Sequence, residues 1–194
     1  VLALIAGGGA AVGLDSAVEY VRCRFGGADA GNASAWMIYL GVSVDLFSDG
    51  SIVVADGGND RVAIFSADLA SLLGQFSFPA VSGVAVSPTG GLFAWDETGE
   101  RVAEITLETG AMQELSGTLA PGSTRDIAFE ESGNLFILED ETSRVTVVSA
   151  ALDEVFVRFG GRDAEFKAEH ISVDNAGNVY LASKEMGRTE VYRW

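Results

Sequence analysis

The sequence predicts an all-β fold, a propeller of four-stranded antiparallel blades, and three observations predict it. A glycine returns at intervals of 40, 43 and 44 residues, as Gly50, Gly90, Gly133 and Gly177. An arginine stands eleven residues after each, as Arg61, Arg101, Arg144 and Arg188. Just past each glycine lies a near-continuous apolar run: SIVVA, GLFAW, NLFIL and NVYLA. Self-similarity at this period belongs to solenoids, propellers and arrays.

Each repeat reads as four strands in order. VDLFSDG, VAVSPTG, IAFEESG and ISVDNAG are strands running into a turn, where glycine supplies the positive φ that the turn needs. Their aliphatic positions, Val44, Val84, Ile127 and Ile171, fall six residues before the glycine. The second strand is the apolar run, and apolar residues on both its faces predict cover on both sides. It closes on Asp56, Asp96, Glu139 or Ser183, the last a departure from the acidic pattern. A polar hairpin leads to the third strand, as in RVAIF and RVTVV, and the fourth follows near LLGQFSF and EVFVRF. Four antiparallel strands in roughly 42 residues make a propeller blade, whose faces are buried by its neighbours. Phe93, Phe136 and Tyr180 fall at one repeat position and are expected in that inter-blade packing.

On this reading residues 1–194 are a single domain, with complete blades at about 42–80, 81–122 and 123–166. A partial blade over 167–194 ends on the third strand, RTEVYRW. A second partial blade occupies 1–30: Leu4 to Asp15 aligns without gaps on Val54 to Phe65, and VEYVRCRF supplies its fourth strand. Five blades are the favoured count. An arc of a six-bladed ring is the close rival, and a four-bladed ring closed by VEYVRCRF stands third. A chain of this length hides roughly 70% of its unfolded surface and needs no staple.

Composition excludes several classes. With 28 acidic and 12 basic residues the net charge is −16, and only Lys167 and Lys184 are lysines. Nucleic acids and anionic membranes are therefore poor partners, because binding them requires neutralised phosphates. The single cysteine, Cys23, allows neither an internal disulfide nor a cysteine-based zinc cluster. The opening VLALIAGGGAAVG lacks Met and a basic lead-in, and its apolar run of six is shorter than the roughly 7–15 of a signal-peptide core. The start thus reads as processed or excised. GxSxG, Walker and Cys–His signatures are missing, and no βαβ pattern surrounds the glycines.

Residue pairs that recur in blade after blade are best read as struts. Asp56 with Arg61, and Asp96 with Arg101, are expected to bridge their hairpins, as are their counterparts Glu139, Arg144 and Arg188. DGGND lacks the full oxygen set of a calcium loop and reads as a turn. More informative is the position expected just before each first strand, near the channel mouth: Ser43, Gly83, Asp126 and His170. Asp126 and the only histidine would sit on adjacent blades with Arg125 beside them, a set able to bind a ligand or metal, or move a proton.

The succession of strand, glycine, aliphatic–aromatic pair, acid and R-V in DGSIVVADGGNDRVAIF and GNLFILEDETSRVTVV resembles the NHL repeat and the six-bladed propellers akin to it. The joint RFGGADA (Arg24 to Ala30) recurs as RFGGRDA (Arg158 to Ala164), and similar joints link blades in bacterial members. In peptidyl-hydroxyglycine lyases, propellers of similar repeat, the resemblance implies zinc held by histidines preceding such strands. Position 170 matches and the other three do not, so a three-histidine site is not carried by this chain. The calcium ligands of gluconolactonase-like and paraoxonase-like propellers find no residue-by-residue match. RNA-binding NHL propellers use a basic face, which conflicts with the charge.

Two functions follow as expectations. The first is a non-catalytic binding or scaffold module for a protein, peptide or glycan, with self-association through open blade edges. The alternative is a metal-dependent lyase or hydrolase holding calcium or zinc at the channel mouth. Acidity and the resemblance to secreted bacterial propellers point to an extracytoplasmic setting.

Overall fold

A computed structural model describes residues 41–193, apart from 97, 99, 116–122, 162 and 164, together with residue 38. The expected partial blade over 1–30 lies outside the described residues. The described chain is all-β and forms a β-propeller. Its first blade comprises β1 (Gly41–Leu46), β2 (Ile52–Asp56), β3 (Arg61–Phe65) and β4 (Leu72–Ser77). The second comprises β5 (Val81–Val86), β6 (Leu92–Asp96), β7 (Val102–Ile105) and β8 (Met112–Glu114). The third comprises β9 (Thr124–Phe129), β10 (Leu135–Glu139), β11 (Arg144–Val148) and β12 (Val155–Gly160). The fourth has three strands, β13 (His170–Val173), β14 (Asn178–Ser183) and β15 (Arg188–Arg193). Within every sheet, strands that are neighbours in sequence pair antiparallel.

The sequence pattern explains this packing. The repeat glycines hold φ between 78° and 93° (Gly177, Gly50, Gly90, Gly133), a region closed to most side chains, and so turn each first strand back on its second. The second strands β2, β6 and β10 are buried along almost their whole length, since a blade has a neighbour on each face. Three apolar cores result, one per junction. Val53, Ala55, Val62 and Ile64 of the first blade meet Leu92, Ala94, Ala103 and Ile105 of the second. Phe93, Trp95 and Val102 meet Leu135, Ile137 and Val148, and Phe136, Leu138, Val145 and Val147 meet Val179 and Leu181.

Three sequence expectations change. Phe93 and Phe136 are 3% and 0% exposed, but Tyr180 at the same repeat position is 37% exposed. No blade among the described residues lies against its face, and its hydroxyl donates to Asp174 Oδ2 at 2.9 Å instead. DGGND is more than a plain turn: Gly57–Asn59 form a single 3-10 turn, closed by Asp60 at φ 51°. Ser43, Gly83 and Asp126 lie within β1, β5 and β9 rather than before them. A break in register next to each of the three starts the strand earlier than the pattern suggested.

Candidate functional site

The antiparallel ladder sorts the molecule into two ends. Each β2–β3-type hairpin and each inter-blade link falls at one end, and each β1–β2-type and β3–β4-type turn falls at the other. The residues nominated from sequence gather at the first end. Ser43, Gly83, Asp126 and His170 occupy equivalent ladder positions, opposite Ala55, Trp95, Leu138 and Ala182. A cavity of about 250 Å³ opens there, lined by Ser43, Ser82, Trp95, Arg125, Asp126, Glu169 and His170.

Asp126 and His170 do meet, with Asp126 Oδ2 3.5 Å from His170 Nδ1. Yet Asp126 already accepts the Ile127 amide on Oδ1 and the Ile171 amide on Oδ2, both at 3.0 Å. The Ile171 bond ties the third blade to the fourth. Ser43 is the same device one junction earlier, its hydroxyl reaching the Val84 amide and carbonyl at 3.4 Å. Asp45 Oδ2 adds a bond from the Val86 amide at 2.8 Å. Burial raises the Asp126 carboxyl above its ordinary value, against the lowering effect of those amides and of His170. Arg125 stands 3.8 Å from Asp140 and 3.7 Å from Glu169, ion pairs too long for hydrogen bonds. The His170 side chain is 79% exposed.

This donor set does not fit a divalent ion. Both Asp126 oxygens are taken up by backbone amides. Among the described residues no three His, Cys, Asp or Glu side chains converge as metal ligands. The cluster is built to staple inner strands together.

The repeat struts take a different form in each blade. In the first, Arg61 Nε donates to the fully buried Asp56 at 2.7 Å. In the second, Arg101 turns away from Asp96 to Glu114 at 2.6 Å, and Asp96 accepts the Thr98 hydroxyl. In the third, Glu139 accepts two threonine hydroxyls, from Thr142 at 2.7 Å and Thr146 at 3.0 Å. In the fourth, where Ser183 replaces the acid, Arg188 bridges Asp163 at 2.7 Å and Glu190 at 2.6 Å.

The opposite end was not nominated from sequence, and its charge is one-sided. Among the described residues its turns carry Asp49, Asp68, Glu108, Glu130, Glu131, Asp153, Glu154 and Asp174, and neither lysine nor arginine. Among the described residues Arg193, at the close of β15, is the one basic residue near this end. The other described arginines and the described lysines sit at or toward the first end, where the third strands begin and the blades are linked. At the acidic end a cavity of about 520 Å³ opens, lined by residues of β1, β5, β9 and β13 and their turns, among them Asp45, Val86, Phe129 and Ser172. A neighbouring hollow of about 370 Å³ is lined by Glu130, Glu131, Ser132, Asp174 and Asn175.

These turn carboxylates are held in place by their own loops. Asp49 accepts the Ser51 hydroxyl and amide, and Asp68 accepts the Ser66 hydroxyl and the Ala70 amide, which lowers both carboxyls below their ordinary value. Asp174 accepts the Asn178 side chain and amide, the Tyr180 hydroxyl and the Ala176 amide, and is pushed down to about 2. A depressed folded-state value means that the ionised form favours the fold above the ordinary value of 3.8. That contribution is lost as pH falls from about 4 toward about 2. The urea midpoint of wild type is therefore expected to exceed that of Asp174→Ala at neutral pH, with the gap narrowing across that acid window. A gap that holds constant down to the bottom of the window would contradict the assignment.

No family model and no curated protein matches the chain. Solved structures do. The selenomethionine-substituted virginiamycin B lyase from Staphylococcus aureus is 13% identical with a TM-score of 0.57, over 77% of this chain and 54% of that one. Hydrazine synthase of Kuenenia stuttgartiensis is 9% identical with a TM-score of 0.67, over 86% and 49%. The WD40 repeats of RRP9 are 12% identical with a TM-score of 0.60, over 78% and 50%. The chain thus spans about half the length of each. Enzymes and a WD40-repeat protein stand side by side in this set, so what they share with the chain is the β-propeller fold.

Proposed function

We propose that the chain is a non-catalytic, NHL-like propeller module that docks a lysine- and arginine-rich protein or peptide on its acidic turn end, in an extracytoplasmic setting. The segregation of charge carries this reading. Carboxylates scattered for solubility alone would have bases among them at both ends, whereas among the described residues the turns of one end carry acids in six of seven and neither lysine nor arginine in any. A one-signed surface raises the encounter rate with a partner of opposite sign and rejects partners of like sign. Loop hydrogen bonds hold several of these anions in position, so little order is lost on docking. The lyase or hydrolase alternative gains no support at the other end, where Asp126 acts as a staple.

The test compares two charge-matched triple variants. Glu130→Gln with Glu131→Gln and Asp174→Asn alters the acidic end. Asp140→Asn with Glu141→Gln and Glu185→Gln removes the same charge from the opposite end. An oligolysine peptide followed by fluorescence anisotropy is expected to bind the first variant about tenfold more weakly than wild type and the second almost as well as wild type. Equal losses in both would reduce the effect to net charge and defeat the proposal.

A further inference from the structure

The cavity of about 250 Å³ at the first end contains one group that the inter-strand staples leave unexplained. Trp95 lines it, and the indole is 4% exposed. Its Nε1 is buried and finds no hydrogen-bond partner among the described residues. Buried donors are almost always paired, because removing one from water without a replacement acceptor costs free energy. Gly83 fixes the direction of the ring: Cε2, the atom bonded to Nε1, lies together with Cζ2 over that glycine of β5. The Nε1 edge is therefore turned toward the inner strand, where Ser82 also meets the cavity.

The next two blades bring a second donor and an acceptor to the same hollow. Arg125 is 45% exposed and stands 3.8 Å from Asp140 and 3.7 Å from Glu169, too far for hydrogen bonds, so charge holds its guanidinium near them without using its N–H groups. Glu169 gives Oε2 to the Lys184 amide at 2.9 Å, and Oε1 is the atom that faces Arg125. One hydroxyl oxygen can serve both sides of that 3.7 Å gap, accepting from the guanidinium and donating to the carboxylate.

Charge decides which ligand suits this set. An anion would meet both Glu169 and Asp126 in the lining, in a chain of net charge −16. An ammonium group has three donors and no acceptor, and so leaves the indole N–H unpaired. A hydroxyl accepts and donates, which answers the indole and the carboxylate together. At about 250 Å³ the cavity is smaller than the roughly 300–1,000 Å³ of sites for drug-sized ligands, so its occupant is small. We infer that it binds a neutral monosaccharide unit, one hydroxyl accepting from Trp95 Nε1 and another bridging Arg125 and Glu169. The site lies apart from the acidic turns and does not depend on the function proposed for them.

Proton–nitrogen NMR of the full chain reads the indole N–H directly, and the peak missing from Trp95→Phe assigns it. Methyl glucoside, methyl galactoside and methyl mannoside are the probes, with acetate and methylammonium as charged controls. At least one glycoside is expected to shift the Trp95 indole resonance to saturation, and neither control to do so at the same concentrations. Affinity for that glycoside should fall about tenfold in Arg125→Ala. This variant should keep the far-ultraviolet circular dichroism of wild type, because the side chain it loses is half-exposed and makes only long ion pairs. An indole resonance that no glycoside moves, one that acetate or methylammonium saturates, or an unchanged affinity in a folded Arg125→Ala overturns the inference.

Discussion

Replacing Gly83 with alanine is expected to destabilise the protein by about 3 kcal/mol, a large effect for one methyl group. The Trp95 indole lies across Gly83, and a Cβ there would fall 1.9 Å from Cζ2, 2.2 Å from Cε2 and 2.4 Å from Cη2. The ring is 4% exposed and belongs to the core between the second and third blades, so displacing it breaks up that packing. Where the first and third blades use Ser43 and Asp126 to staple the next inner strand, the second has no side chain at all and fills the place with an indole from β6. Glycine is thus required by the tryptophan rather than by the backbone. Urea unfolding of the double-mutant cycle with Trp95→Ala measures this. The Gly83→Ala penalty should nearly vanish once the ring is gone, and a penalty that persists in full would refute the contact as its cause.

The second large effect is expected at Arg61. Its partner Asp56 is fully buried, held by Arg61 Nε at 2.7 Å and by two bonds from the Asn59 amide group at 3.0 and 2.9 Å. Arg61 also donates from Nη1 to Gln75 at 2.7 Å. Arg61→Ala strands a buried carboxylate and should cost about 3–5 kcal/mol. Arg101→Ala, at the same repeat position, should cost only about 1 kcal/mol, since Glu114 is 56% exposed and the other contacts are a weak bond from Nη2 to Met112 Sδ at 3.2 Å and the stacking of Arg101 over Phe78 at 4.5 Å. Similar losses from the two substitutions would show that the repeat position, and not the burial of its partner, sets the energy.

The fold was legible in the sequence because it repeats. Glycines that must adopt positive φ, and strands apolar on both faces, leave a periodic trace that needs no knowledge of the ring. Side-chain partnerships were only partly legible. Arg101 pairs with Glu114 on a strand whose register cannot be read from spacing, Arg188 reaches Asp163 in the link before the fourth blade, and Thr146 displaces Arg144 from Glu139 across a ladder that the hairpin pattern does not reveal. The meeting of Asp126 with His170 was foreseen, but its use was not: a staple to the Ile171 amide depends on how closely two inner strands approach. The acidic end could have been found. Turns of an antiparallel blade alternate between its two ends, so sorting the acids of SDG, EESG and DNAG by turn parity separates them from the arginines that open the third strands.

Amide chemical-shift mapping of the full chain with an oligolysine peptide tests the central claim most directly, because it reports where a basic partner sits. The account predicts saturating shifts grouped at residues 48–51, 130–134 and 174–178, where the acidic turns of the first, third and fourth blades lie. Shifts grouped instead at residues 125–126 and 169–170, around the Asp126 and His170 staple, or spread without focus over both ends, would contradict it.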